Sequence, residues 1–205
     1  MIYSQAEERL NIATHALGVL VSLPATYFLL EKSENATSTF ASLIFGISLL
    51  LLYLASTAYH SATGEARRKQ LRVLDHSAIF VLIAGTYTPI CMISLWHSWG
   101  PVLLLVIWGI ALVGIVLKLF YTGRYDRAST ILYVAMGWIA LAAIKPLLDS
   151  FETLPLLWLL AGGIFYTTGA ILYSFRRIPF NHAIFHVFVL GGSTCHYIMI
   201  YHFVI

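Results

Sequence analysis

The chain has 205 residues, of which 60% are hydrophobic and only 10% charged, and its formal net charge is +3. Soluble domains are about 25% charged, so this composition cannot cover a water-facing surface and excludes an ordinary soluble fold. The two cysteines, Cys91 and Cys195, are too few for a disulfide scaffold and read as small apolar packing residues.

The opening, MIYSQAEERLNIATH, is polar and acidic and lacks the basic stretch and cleavage site of a signal peptide. A spanning helix needs about 20 mostly apolar residues. Seven such runs follow, at 10–30, 39–60, 75–95, 101–121, 129–146, 154–175 and 183–204. Polar joints such as EKSENATST, HSATGEARRKQLR and YTGRYDRAS separate them, and no repeat, long linker or soluble segment interrupts the series. The expectation is an all-α membrane protein, a single seven-helix transmembrane domain over residues 1–205. Pro24 and Pro89 are expected to kink the first and third helices. Gly162, Gly163, Gly169, Gly191 and Gly192 are expected to let helices approach closely.

Orientation follows from Lys and Arg. With alternating helices, Arg9, Arg67, Arg68, Lys69, Arg72, Lys118, Arg124, Arg127, Arg176 and Arg177 fall on one side, and only Lys32 and Lys145 on the other. Positive charge marks the cytoplasmic face, which predicts a cytoplasmic N-terminus and a C-terminus outside. The basic loops serve topology and phospholipid contact, and nothing in them points to nucleic acid.

The unusual polar residues then gather in one leaflet. Glu7, Asn11 and His15 follow one another at helical spacing at the opening of helix 1. Ser56 and His60 lie one turn apart at the close of helix 2, Asp75 opens helix 3, and His182 and His186 open helix 7. Ionisable groups inside spans are costly and by default point to a functional site. Histidines at i and i+4 can reach one ion together, and a third from another helix completes a three-ligand site with one position open, the layout of a catalytic zinc. His60, His182 and His186 are the expected ligands of Zn²⁺. Asp75 either binds the metal or, as preferred here, serves its water as a hydrogen-bond partner or general base. Ser56 could hydrogen-bond the water or a substrate carbonyl. Glu7, Asn11 and His15 read as residues that cap and pack helix 1 against the site. His76 follows Asp75 directly and projects about 100° away around the helix, which leaves it at most a supporting role. His97, His196 and His202 read as packing residues.

The stretches STAYH, LDHSAIFVLIAGTYTPI, AMGW and RIPFNHAIFHVFVLGGSTCH, with the opening YSQAEERLNIATH, resemble the bacterial hemolysin III family through essentially the whole chain. That family belongs with the progestin and adipoQ receptors, which include the adiponectin receptors. The resemblance implies seven helices with the N-terminus inside, a zinc on the cytoplasmic side of a bacterial cytoplasmic membrane, and a role in membrane homeostasis. It maps the Ser-x-x-x-His motif to Ser56 and His60, the helix 3 aspartate to Asp75, and the His-x-x-x-His motif to His182 and His186. In the adiponectin receptors the three histidines are the zinc ligands, with the aspartate and serine near the zinc water.

Three functions compete. The first, preferred within a membrane-homeostasis role, is a zinc-dependent hydrolase of a lipid amide or ester that enters sideways from the bilayer. The second is a membrane-state sensor or receptor with a structural zinc, which gains if Asp75 is a fourth ligand, because structural zinc sites have four protein ligands. The third is a pore or transporter, disfavoured because the polar cluster occupies one leaflet and no inverted repeat is visible. Membrane lipids are the expected partners.

Overall fold

A computed structural model describes residues 3–175 and 177–205, so Arg176 of the basic set lies outside the described residues. It contains α1 (Gln5–Lys32), α2 (Ala36–Ser61), α3 (Glu65–Pro89), α4 (Gly100–Tyr121), α5 (Asp126–Gly137), α6 (Ile144–Ser150), α7 (Thr153–Ser174) and α8 (Asn181–Phe203). A π-helical turn at Ile90–Ser94 extends α3, and a 3-10 segment at Trp138–Ala143 joins α5 to α6. These make seven stretches long and apolar enough to cross a membrane, α5 and α6 forming one of them.

Local chemistry sets the helix ends. Ser4 caps α1 by accepting a hydrogen bond from the Glu7 amide at 3.2 Å. Asn35 and Ser38 cap α2 reciprocally: Asn35 Oδ1 accepts from the Ser38 amide at 3.0 Å, and Ser38 Oγ accepts from the Asn35 amide at 3.1 Å. α3 starts at Glu65, well before the expected residue 75, because EARRKQLR is too charged for lipid yet rich in good helix formers. Pro89 ends the regular part of α3, and the chain runs on through the π turn, where the Leu95 amide donates to the Ile90 carbonyl at 3.0 Å. The break after α5 is satisfied from α3. The Tyr87 hydroxyl donates to the Gly137 carbonyl at 2.7 Å and accepts from the Ala140 amide at 2.8 Å. A non-helical backbone at membrane depth needs such partners, since lipid offers none.

α1, α2 and α3 pack in sequence, α7 packs along α8, and α8 returns against α1 to close the bundle. Phe45, Phe80, Ile107, Met136, Met199 and Ile200 are among the fully buried side chains. Leucine, valine and phenylalanine also cover the outer faces, as in Leu20, Leu105, Leu112 and Phe120, which suits a lipid solvent. The glycines read as contact points do bring helices together. A Cβ at Gly162 would stand 2.2 Å from the His196 ring, and one at Gly192 would stand 2.8 Å from the Tyr166 ring. Gly163 is looser, its nearest neighbour being Trp138 at 3.4 Å.

Candidate metal centre

The bundle brings the openings of α1, α3 and α8 together with the close of α2. His60, His182 and His186 are all buried there, and one ring nitrogen from each lies within 4.8 Å of the others. His60 Nε2 and His182 Nε2 approach to 3.1 Å. Two ligands on one tetrahedral ion with metal–nitrogen bonds of ~2.0–2.1 Å stand ~3.3–3.4 Å apart, so this spacing fits a shared cation.

The opposite ring nitrogens are all engaged, and α1 with its cap supplies most of the partners. Glu8 Oε2 stands 2.6 Å from His60 Nδ1, and the other Glu8 oxygen accepts from Arg68 of α3. A carboxylate there makes Nδ1 the protonated nitrogen and leaves Nε2 with a free lone pair. His186 Nδ1 donates to the Asn11 carbonyl at 3.2 Å, with Thr14 Oγ1 at the same distance, and this frees its Nε2 in the same way. His182 Nδ1 meets the Tyr3 hydroxyl at 3.1 Å. Burial pushes the Tyr3 phenol up, so it serves as a neutral hydroxyl. Glu7 Oε1 accepts from the His182 amide at 3.3 Å. Fixed tautomers with the ligating nitrogens turned inward are how metal-binding histidines are held. The donor set therefore suits a transition metal.

Each expected site residue can be placed. Glu7 and Asn11 both touch the histidines, and the Asn11 amide also lies 3.4 Å from His60 Nδ1. His15 stacks on His186 with ring centroids 3.5 Å apart and planes 8° from parallel, and neither of its nitrogens has a hydrogen-bond partner among the described residues. Asp75 and Ser56 are buried on the wall of the cavity that His182 and His186 also line. Asp75 stands outside the three-histidine group, and Ser56 Oγ has no hydrogen-bond partner among the described residues. His76 sits apart with Lys118 and Asp126, at 3.4 and 3.9 Å. His196 Nε2 donates to the Leu159 carbonyl at 3.1 Å, while His97 and His202 are exposed. The residues that sequence reasoning missed are Tyr3, Glu8, Thr14 and Arg68. Only Glu8 carried a signal, since it stands at i−3 from Asn11 and i−7 from His15 on the same helix face.

The cavity beside the histidines has a volume of about 150 Å³. Tyr133 and Tyr166 also line it, and a second cavity of about 220 Å³ shares Thr86, Tyr87, Gly137, Trp138, Gly163 and His196 with it. The two adjoin, and the second is walled mainly by leucines and isoleucines.

A bundle of seven membrane-length helices around three converging imidazoles defines a class: a multi-pass membrane protein with a centre that could hold a metal ion. The comparisons make the class specific. The sequence pattern described as "Haemolysin-III related" matches residues 3–197, and the chain belongs to that family. It is 45% identical to the "Hemolysin-3 homolog" of Bacillus subtilis (strain 168), over 94% of this chain and 92% of that protein. It is 26% identical to the human "Monocyte to macrophage differentiation factor", over 95% of this chain and 83% of that protein. A more distant likeness, 22% identity over 91% of this chain, is to the "Adiponectin receptor protein" of Drosophila melanogaster, of which it covers 48%.

Proposed function

We propose that the protein is a membrane-homeostasis factor of a bacterial cytoplasmic membrane whose centre holds zinc and hydrolyses a lipid amide or ester. In this reading the N-terminus and the metal centre face the cytoplasm. The observation that carries it is the convergence of three imidazoles, two of them fixed as Nδ1–H tautomers by Glu8 and the Asn11 carbonyl, with the Asp75 carboxylate nearby but outside their group. Three nitrogen ligands without a thiolate, and with room for a further ligand, match catalytic zinc. When bound, zinc would polarise the scissile carbonyl and acidify an attacking water.

The chain's own residues supply the rest. Asp75 accepts the proton from the attacking water. Ser56 Oγ, which has no partner among the described residues, donates to the substrate carbonyl. The apolar cavity beyond Tyr133 receives the hydrocarbon chain and keeps bulk water out.

The deciding experiment compares Asp75→Asn with His60→Ala in one detergent, reading zinc content, melting temperature and ceramide hydrolysis. Asp75→Asn should keep its zinc and its fold while losing 10²–10⁴-fold in rate, the usual cost of a lost general base. His60→Ala should lose zinc and stability together. Equal zinc loss in both would make Asp75 a ligand of a structural site and leave the sensor reading in place of the hydrolase.

A further inference from the structure

A second polar cluster lies on the same membrane face as the metal centre and shares none of its hydrogen bonds. α3 contributes Arg72 and His76, α4 contributes Lys118, and α5 contributes Asp126 and Ser129. Arg72 pairs with Asp126 Oδ2 at 2.7 Å. Lys118 is different. It is only 4% exposed, and its Nζ meets neutral groups: Ser129 Oγ at 2.6 Å, His76 Nδ1 at 3.4 Å and the face of Tyr133 at 5.8 Å. Among the described residues no carboxylate oxygen lies within 4.0 Å of it.

With Asp126 Oδ2 bonded to Arg72, Lys118 is the cation left without a direct carboxylate partner among the described residues, and it is the more buried of the two. A desolvated ammonium without a counter-ion is expensive, and within a spanning segment it points to a ligand. Two further features say which kind. His76, Asp126 and Ser129, which surround Lys118, also line the 150 Å³ cavity that Asp75 lines, so the cluster adjoins that space although Lys118 itself does not line it. Asp126 Oδ1 is buried without a hydrogen-bond partner among the described residues, an acceptor that waits for a donor. A ligand that suits both carries an anionic oxygen for Lys118 and a hydroxyl for Asp126.

We infer that the Lys118 cluster is a binding site for the phosphate of an anionic phospholipid headgroup. It lies at the helix ends, where headgroup phosphates sit, and basic pockets between spanning helices are a known setting for them. Lys118 supplies the charge, Ser129 Oγ holds the ammonium in place by accepting from it, His76 supplies a hydrogen bond to a phosphate oxygen, and Asp126 Oδ1 accepts from a headgroup hydroxyl. The site is independent of the metal centre and stands whether or not a lipid is hydrolysed there.

Delipidated full-length protein in neutral detergent, titrated with lipid and read by native mass spectrometry, tests this. Wild type should hold dioleoylphosphatidylglycerol at least about fivefold more tightly than dioleoylglycerol, the factor one lysine contributes near a membrane surface. Lys118→Gln, which can still hydrogen-bond Ser129, should abolish the preference, and Lys118→Arg should restore it. Arg67→Gln, at an exposed basic residue near the start of α3, should leave it in place. The His182→Ala, His186→Ala double variant should also keep it, which separates this site from the hydrolase proposal. Inorganic phosphate at millimolar concentration should not compete, and competition would assign the site to free phosphate instead of a lipid. A preference that survives in Lys118→Gln, or that falls equally in Arg67→Gln, overturns the assignment. Equal loss in Lys118→Gln and Lys118→Arg would mark the lysine as a fastener of α5 and overturn it too.

Discussion

Glu8 of α1 holds His60 of α2 by a 2.6 Å contact between its Oε2 and the imidazole Nδ1, and its second oxygen pairs with Arg68 of α3. One side chain thereby ties three helices and sets which nitrogen of His60 faces the other histidines. Its removal should loosen the metal without touching a ligand. Glu8→Ala is expected to lower zinc affinity about 10–100-fold, the usual cost of losing a partner that orients a ligand, with Glu8→Gln in between. Competition with a chromophoric chelator measures this. Wild-type affinity in Glu8→Ala would show that His60 is oriented by its packing alone.

This contact also shows what the sequence could and could not reveal. The convergence of the three histidines, with Asp75 on the wall of the same cavity, was legible because ionisable residues in lipid are rare enough for their placement to be read directly. The i, i+4 spacing to Asn11 and His15 singled out Glu7 and hid Glu8, its neighbour in the chain, yet both turn out to touch histidines. Tyr3 gave no signal: its contact with His182 crosses 179 positions and depends on how α8 returns to α1. The true start of α3 was hidden because hydropathy reports lipid and not helix, and Glu65 to Arg72 are helical yet charged. The break at Trp138–Ala143 was equally invisible, as the Tyr87 hydroxyl that stabilises it comes from another helix.

Packing around His196 makes a separate prediction. A methyl group at Gly162 would stand 2.2 Å from its ring, and the ring is anchored to the Leu159 carbonyl. Gly162→Ala should therefore cost about 1–3 kcal/mol, as overpacking does. At Gly163 the same methyl meets Trp138 at 3.4 Å, a contact that needs little adjustment. A lower melting temperature for Gly162→Ala than for Gly163→Ala is the expected result. Equal values would mean that α7 and α8 can part without cost.

Orientation is testable apart from chemistry. The basic residues Arg67, Arg68, Lys69 and Arg72 lie in the first turns of α3, on the same face as the three histidines. If they mark the cytoplasm, a reporter active only outside it should give signal when fused after Ile205 and none when inserted between Ser61 and Glu65. Signal from the 61–65 insertion would invert the bundle and put the metal centre outside.

Metal removal joins the centre to the stability of the whole bundle. His60, His182 and His186 come from α2 and α8, and the residues that orient them come from α1 and α3, so a bound ion ties four helices at one end. An ion that binds only the folded state adds stability that grows with its free concentration, by about 2.7 kcal/mol at a hundred times its dissociation constant. Stripping with a chelator should lower the melting temperature in detergent, and adding back stoichiometric zinc should restore it. Magnesium should not, because hard cations prefer oxygen ligands to imidazole. The His182→Ala, His186→Ala variant should melt at one temperature with or without chelator, and this makes the effect specific to the centre. A chelator effect of equal size in that variant would locate the stabilising metal elsewhere, and no effect in the wild type would mean that the three imidazoles hold no ion that matters to the fold.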